Sequence, residues 1–346
     1  MRQIGVDWSA LGSNGKPIRG QSRMCSIAGA IGQPAVDVSS MLSIMRHRAP
    51  DQEGVYSDDA IQIGNGRLKI LDLKSKIDSP YKFEGLVLSY NGEIYNYKDL
   101  ILELKQYGYT FDTGCDTEVL IKAWHKWGVD CLDKLNGMYA FALYDKREMQ
   151  LYLVRDIAGE KPLYYFHNGD QFIFCSEAKA LTSVIDLVPQ EDCYYEAFEH
   201  CGEKTLYKNV RQVMPAHYIK YDLRLDIFEK KEYWELKHRE IRESEAEEEC
   251  EHLLSDSVRL RISADVPVGL YYSGGVDSSL IAAVGTIGPK YNFDMNLSWE
   301  KKFNEDIDKI IWHLDFPVGS FSSFPLWVLA EQASKEVKVV ISGEGA

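Results

Sequence analysis

The seven residues Ser-Gly-Gly-Val-Asp-Ser-Ser at 273–279 restrict what the C-terminal part of this chain can fold into more than any other stretch. They follow a short apolar run, VPVGLYY (266–272), and lead into SSLIAAV, which reads as a helix from Ser278. A buried strand that passes through a glycine turn into a helix opens an α/β unit. Gly274 and Gly275 let backbone N–H groups crowd an anion, and the helix N-terminus adds partial positive charge. The hydroxyls of Ser273 and Ser278 can donate to phosphate oxygens, and Asp277 can hold Mg²⁺ carried on those oxygens. The loop holds no lysine and the chain contains no GxxxxGK[ST], so the P-loop reading fails.

A second feature stands at the other end. In SRMCSIAGAIG (22–32), Cys25 follows a methionine and leads straight into an apolar, glycine-spaced strand. A cysteine directly after an initiator methionine can become a chain terminus, where its own amine is a general base beside the thiol. The 346-residue chain is long enough for two domains. Its net charge of −14 argues against non-specific binding to nucleic acid or anionic membrane. Seven cysteines without a CxxC pair and eight scattered histidines argue against a metal cluster or disulfide framework, and a reducing cytoplasm is expected. No apolar run approaches the roughly 18 residues of a membrane helix, and the first 23 residues lack an apolar signal core.

Residues 25–222 read as strand-rich. GLVLSYNGEIYN (85–96) is expected as a strand ending in a polar turn, and DTEVLIKAWHKWG (116–128) as a helix capped by Asp116 and ended by Gly128. Residues 139–156 and 162–177 read as hairpins, the second with a type I′ turn at Asn168-Gly169, and AHYIKYD (216–222) as the last strand. Residues 223–243 are charge-dense and read as a connector. Residues 244–262 read as an amphipathic helix with acid at its start and arginines at its end. A helix–helix–strand pattern follows to the C-terminus.

The loop at 273–279 resembles the pyrophosphate loop of ATP pyrophosphatases. With MCSIAG (24–29), RHRAPD (46–51), RLKILD (67–72), YNGEIYN (90–96), DTEV (116–119), GMYAFALYD (137–145), RDIAGEKPLYY (155–165), SEAKAL (176–181) and SGEGA (342–346), the chain resembles the glutamine-dependent asparagine synthetase family over roughly residues 24–346. The resemblance implies an α+β N-terminal-nucleophile αββα sandwich at 25–222, a class II glutamine amidotransferase domain. A 1–24 extension precedes it, and the 223–243 connector leads to an incomplete α/β, Rossmann-like ATP-pyrophosphatase domain at 244–346.

By that resemblance Cys25 attacks the carboxamide of glutamine, with its own amine as base. The Asn91 side chain and the Gly92 N–H form an oxyanion hole. Arg67, with Leu68, Lys69, Ile70 and Leu71, holds the glutamine α-carboxylate side, while Glu93 and Asp116 receive the α-ammonium. Backbone groups near Tyr271 read adenine. Ser273, Gly274, Gly275, Asp277 and Ser278 take the pyrophosphate of ATP with Mg²⁺ on Asp277, and Ser342 and Gly343 close on the nucleotide. Glu344 assists formation and aminolysis of an acyl-adenylate. The implied reaction moves glutamine nitrogen to aspartate through β-aspartyl-AMP, releasing AMP and pyrophosphate, in the cytoplasm. The implied partners are small molecules, with a homodimer allowed and neither nucleic acid nor membrane.

This sequence departs from the family pattern at several points. Twenty-three residues precede Met24, and the expected true start is Met24 with removal of the methionine. A strand and helix expected after Thr286 are missing, and the chain stops at SGEGA. Phe316 and Ser320 stand where many members carry acids, and Ala49 where glycine is usual. Two alternatives therefore stay open: the same chemistry on another carboxylate, a sugar acid or peptide, and a glutaminase-only or inactive fragment.

Overall fold

The computed structural model describes residues 24–32, 36–74, 77–190, 202–293, 299–315 and 322–343. In chain order the first unit comprises β1 (Ser26–Gly32), α1 (Val38–Ile44), β2 (Gln52–Ser57), β3 (Ile61–Arg67), β4 (Tyr81–Phe83), β5 (Leu86–Ile94), α2 (Tyr97–Gln106), α3 (Asp116–Trp127), β6 (Gly137–Asp145), β7 (Gln150–Arg155), β8 (Tyr164–His167), β9 (Gln171–Cys175), β10 (Val210–Gln212), β11 (His217–Asp222) and β12 (Ile227–Glu232). They build two six-stranded sheets, in the orders β10-β8-β9-β1-β3-β2 and β12-β11-β7-β6-β5-β4.

The residue pattern of β6 shows why these sheets stack. Ala140, Ala142 and Tyr144 point into a core shared with Ile27, Ile63 and Phe174 of the other sheet. The alternate residues Tyr139, Phe141 and Leu143 point outward and pack with Leu104, Val119 and Leu120 of α2 and α3. Period-two alternation with both faces buried explains the nearly continuous apolar run. On the far side, Val38, Met41 and Leu42 of α1 cover Ala28 and Ile173. The layers are helix, sheet, sheet, helix, as the resemblance implies. A side chain at Gly29 would place its Cβ 2.0 Å from Phe174 Cζ, so the glycine in SIAGAIG seats that ring against β1.

The second unit comprises α4 (Glu243–Arg261), β13 (Val268–Tyr271), α5 (Val276–Val284), β14 (Lys290–Tyr291), α6 (Trp299–Leu314), α7 (Ser323–Ala333) and β15 (Val339–Ile341). Its strands form a parallel sheet in the order β14-β13-β15. Leu270 and Ile341 pack with Val258 of α4 and Ile281 of α5, while Tyr291 packs with Leu329 and Ala333 of α7. Helices thus flank the sheet on both faces, the α/β arrangement expected from the glycine loop.

Local readings change at four places. Asn91 and Gly92 lie inside β5, paired with Ala140 and Tyr139, rather than at a turn. The 162–177 hairpin turns through Asn168-Gly169-Asp170, with positive φ at Gly169 alone of the three and Asn168 Oδ1 accepting from the N–H groups of Asp170 and Gln171. The local Asx bonds replace the type I′ geometry. Strand β12 extends the second sheet past Asp222 into the expected connector. Its sequence, IFEKKE, is an exposed edge strand whose charges hide the strand signal. Helix α5 starts at Val276, two residues before Ser278, because Gly275 in extended conformation serves as its N-cap.

Candidate active site

Cys25 immediately precedes β1, whose first N–H contacts include Ile27 N to Ser176 Oγ at 2.9 Å. Its carbonyl accepts from Arg48 Nε at 3.1 Å, and its Sγ accepts from the Leu68 N–H at 3.4 Å. The thiol is therefore fixed from β1, from the segment after α1, and from the loop after β3. Burial raises its pKa; the Leu68 N–H and the guanidinium groups of Arg67 and Arg48 act in the opposite direction, toward the thiolate.

Arg67 closes β3 and is buried. Its Nη2 donates to Leu71 O at 3.3 Å and to Cys115 Sγ at 3.5 Å, while Nη1 is buried without a partner among the described residues. Asn91 on β5 is 1% exposed, and its Nδ2 is likewise buried and unpartnered. A buried donor left unmade is costly, so each marks a place for an acceptor atom. Beside Asn91, a Cβ on Gly92 would lie 2.3 Å from Met138 O and 2.7 Å from Tyr139 Cα. Gly92→Ala is expected to push β5 from β6 and to destabilise the chain by roughly 1–3 kcal/mol. Thermal unfolding checks this, and an unchanged melting temperature would contradict the packing account.

Asp116 opens α3, but Cys115 occupies the N-cap position and Asp116 does not cap the helix. Its Oδ2 instead accepts from Tyr90 Oη at 2.8 Å and Ile94 N at 3.0 Å, turned toward β5. No side chain caps the helix; Glu118 in its first turn instead reaches back to the N–H groups of Asp112 and Thr113 and ties down the preceding segment. Burial raises the Asp116 pKa against those hydrogen bonds and the Arg67 charge. Burial and the Asp116 charge push Glu93 up to about 8, with Lys161 and Arg261 opposing. Two buried acids facing one pocket suit a single cation.

These groups line one cavity of about 840 Å³. Cys25, Arg67, Leu68, Ile70, Leu71, Asn91, Gly92, Glu93 and Asp116 all border it. Lys69 does not, contrary to its expected place in the glutamine site: its N–H turns away and donates to Asp51 Oδ2 at 2.9 Å. The cavity continues between the two units along Ile310, Leu326, Trp327 and Ala330 of α6 and α7, and reaches Tyr271 and Ser342 at the C-terminal ends of β13 and β15.

The loop between β13 and α5 lies outside that cavity, on an exposed face. Gly274 has φ +79°, and nothing lies within 4 Å of where its Cβ would be. The loop holds its own shape: Gly275 N donates to Ser273 Oγ at 3.3 Å, and the Ser273 and Ser278 hydroxyls lie 3.2 Å apart. Ser278 is buried and donates to Gly275 O at 3.3 Å, so it braces the turn from within. Gly343 packs against it, since a Cβ there would meet Asp277 Cβ at 2.7 Å. An open turn at a helix N-terminus, with Asp277 exposed in the first helical turn, fits a phosphate chain carrying a divalent cation. Glu344 lies outside the described residues.

The structure adds residues to which the sequence reading gave no role. Glu177, 3% exposed, pairs with Arg48 Nη1 at 2.8 Å, His47 Nε2 at 3.3 Å and Lys179 Nζ at 2.7 Å. Burial alone would raise its pKa, but Arg48, His47 and Lys179 hold it well below the usual carboxylate range. Lys179 also donates to Trp312 O at 2.7 Å, and its N–H to Asp315 Oδ1 at 3.1 Å, tying the nucleophile's surroundings to the end of α6. RHRAPD and SEAKAL carry these residues, but their long-range pairing has no local signature.

A family model described as a glutamine amidotransferase domain matches residues 24–234, and one described as asparagine synthase matches residues 249–286 and 294–346. A Methanocaldococcus jannaschii protein named "Putative asparagine synthetase [glutamine-hydrolyzing] 2" is 32% identical over 385 aligned residues, covering 93% of this chain and 74% of the relative. That alignment is longer than the 346-residue chain, so the relative carries residues without a counterpart here. A Bacillus subtilis protein named asparagine synthetase [glutamine-hydrolyzing] 1 is 33% identical over 89% of this chain and 54% of its own length, so this chain spans little more than half of that relative. Among solved structures, a glutamine phosphoribosylpyrophosphate amidotransferase from B. subtilis complexed with ADP and GMP is similar with a TM-score of 0.48 and 17% identity, covering 86% of this chain and 69% of that one. With both family models matched in order, and a relative above 30% identity covered over nearly three quarters of its length, this chain belongs to the glutamine-hydrolysing asparagine synthetase family.

Proposed function

We propose that the chain hydrolyses glutamine at Cys25 and passes the ammonia to a carboxylate activated by ATP, with aspartate as the acceptor and asparagine as the product. The observation that carries the reading is the convergence on one cavity of the Cys25 thiol, the unpartnered Nδ2 of Asn91, the unpartnered Nη1 of Arg67, and the acid pair Glu93–Asp116. A free amino acid with a side-chain carboxamide needs these four things: a cation for its carboxylate, acids for its ammonium, a nucleophile, and a donor for the developing oxyanion.

In this reading the Cys25 thiolate adds to the carboxamide carbon. Asn91 Nδ2 and the Gly92 N–H receive the oxygen as it gains charge. The α-amine of Cys25 takes the thiol proton and passes it to the leaving nitrogen, so ammonia departs and a thioester remains for water to cleave. That base role belongs to the form of the chain whose first residue is Cys25; we assign cleavage between Met24 and Cys25 as the activating event. The ammonia then follows the cavity past Ile310, Leu326, Trp327 and Ala330 of α6 and α7. Tyr271 and Ser342 at the far end, with Gly343, would border the nucleotide; beyond the cavity, on the exposed face, Ser273, Gly274, Gly275 and Ser278 would cradle the phosphates. Glu344 would assist attack on the acyl-adenylate. Mg²⁺ on Asp277 would neutralise phosphate charge that otherwise repels the attacking carboxylate. We place the amidotransferase domain at 25–222 with strand β12 (Ile227–Glu232) added to its sheet, the rest of the connector up to 243 and the ligase unit at 244–346, acting in the cytoplasm on small molecules, with a homodimer allowed.

ATP–pyrophosphate exchange separates the acceptors. Exchange that depends on aspartate supports asparagine formation. Exchange that ignores aspartate and responds to a sugar acid or peptide favours the other carboxylate, for which the sequence motive is Phe316 and Ser320 in place of acids.

The acid pair gives a pH prediction. Glu93 with a pKa near 8 holds a proton below that pH in the empty pocket, and the ammonium of glutamine requires the carboxylate. The KM for glutamine should therefore fall as pH rises from 6 to 8, by up to about tenfold per unit. Glu93→Gln should raise KM and flatten that slope. A wild-type KM that is flat over this range removes Glu93 from ammonium binding.

A further inference from the structure

The loop from Leu68 to Asp72 closes one side of the thiol pocket, since Leu68 contacts Cys25 Sγ and Leu71 contacts Arg67. It is gripped by the other unit at two points. Asp265 bridges it twice: the Asp265 N–H donates to Ile70 O at 3.3 Å, and Asp265 Oδ2 accepts from Asp72 N at 2.8 Å. Lys338 Nζ lies 3.0 Å from Asp51 Oδ2, the oxygen that accepts from Lys69 N, and 3.5 Å from Lys69 O. Asp72 itself has φ +49°, a conformation a non-glycine residue keeps only where its surroundings enforce it. Its Oδ2 accepts from Gly114 N at 2.8 Å, two residues before Asp116. The grip therefore extends from the carboxylate side of the pocket to the ammonium side.

Both gripping residues stand at the starts of strands. Asp265 lies three positions before β13 and Lys338 immediately before β15. The two strands are paired in parallel, Val268 with Val339 through Leu270 with Ile341. Their opposite ends carry the loop 273–278 and the Ser342-Gly343 pair. The four residues of β13 span about 13 Å at ~3.3 Å per residue.

We infer that Asp265 and Lys338 are positioning residues for the glutamine pocket and that, through β13 and β15, they make the order of the loop 68–72 depend on occupancy of the nucleotide loop. The inference rests on the glutamine-hydrolysing reading above for its functional consequence, but not for its structural content. Binding at either end must then favour binding at the other by the same factor. In the free chain the grip is the two Asp265 hydrogen bonds, the long Lys338 contact with Lys69 O and the partly exposed Lys338–Asp51 ion pair, strong enough to bias the loop and weak enough to be shifted.

The test uses the chain processed to begin at Cys25 and otherwise whole, with Asp265→Ala, Lys338→Ala, the double variant, and Asp265→Asn, which keeps an acceptor oxygen. Hydrogen exchange of peptides covering 68–72 and 273–279 is followed with and without MgATP, alongside kcat and KM for glutamine. In the double variant exchange at 68–72 should accelerate roughly tenfold and KM should rise by a similar factor with kcat within twofold. Asp265→Asn should stay near wild type. MgATP should protect 273–279 in all forms and 68–72 only where the grip is intact. Unchanged exchange at 68–72 in the double variant overturns the positioning role, as does a kcat loss without a KM change. Protection of 273–279 without protection of 68–72 in the wild type overturns the linkage. If glutamine is not hydrolysed at all, or MgATP protects neither segment, the functional reading fails while the exchange of the variants still decides the grip.

Discussion

Cys25→Ala lowers glutamine hydrolysis by at least about a thousandfold and leaves ammonia-dependent amide formation within twofold of the parent chain. The split follows from the geometry. The thiol sits at one end of the cavity, held by Leu68 and by its own carbonyl's bond to Arg48, while Tyr271 and Ser342 mark the other end. Cys115 also lines the cavity and cannot substitute. Burial and the neighbouring Asp116 push its thiol up to about 12, and its Sγ is engaged with Arg67, Asp116 and Thr117. Alanine at 25 removes only the Sγ, so the β1 register and the Arg48 contact with the Cys25 carbonyl remain. Steady-state assays with glutamine and with ammonium salts as nitrogen source read the two activities separately. Retained glutamine turnover in the variant refutes the nucleophile, and equal loss of both activities points to a structural role for residue 25.

Asn91→Ala reduces kcat for glutamine by about 10²–10³ with little change in KM. Its amide is buried in β5, opposite Ala140, and Nδ2 makes no bond to any described residue. A donor kept empty in the free protein is aimed at an acceptor that arrives with the substrate, and it contributes most when that acceptor carries charge. Removing it takes away transition-state stabilisation and little ground-state binding, because Arg67, Glu93 and Asp116 hold the amino-acid end. A rise in KM with unchanged kcat would place Asn91 in substrate binding instead.

How far the sequence could be read depends on whether the determinants are local. The strand–glycine–helix unit at 266–284 was legible because turn chemistry is written in adjacent residues, although the helix begins two residues early once Gly275 takes the N-cap. The two stacked sheets were legible only through the family resemblance. Strands buried on both faces, such as β6, give a continuous apolar run that does not say what covers each face. Asp116 illustrates a partial reading. It does open the helix, yet its carboxylate turns to the Ile94 N–H and Tyr90 hydroxyl of β5, a contact between elements that helix-capping rules do not anticipate. The Arg48–Glu177–Lys179 cluster spans 131 positions and joins α6 through the Trp312 carbonyl. Nothing in the spacing of those residues announces the pairing. Lys69 was misplaced for the converse reason: it sits between pocket residues in sequence, but its backbone is held outward by Asp51.

The central claim, that Cys25 takes up the acyl group of glutamine, is tested most directly by acid-quenching the enzyme during glutamine turnover and mapping the covalent adduct by peptide mass spectrometry. The account predicts one γ-glutamyl thioester, on Cys25, that disappears in Cys25→Ala and accumulates less in Asn91→Ala. Glutamate released at the wild-type rate with Cys25 unmodified, or an adduct on Cys115, would contradict it.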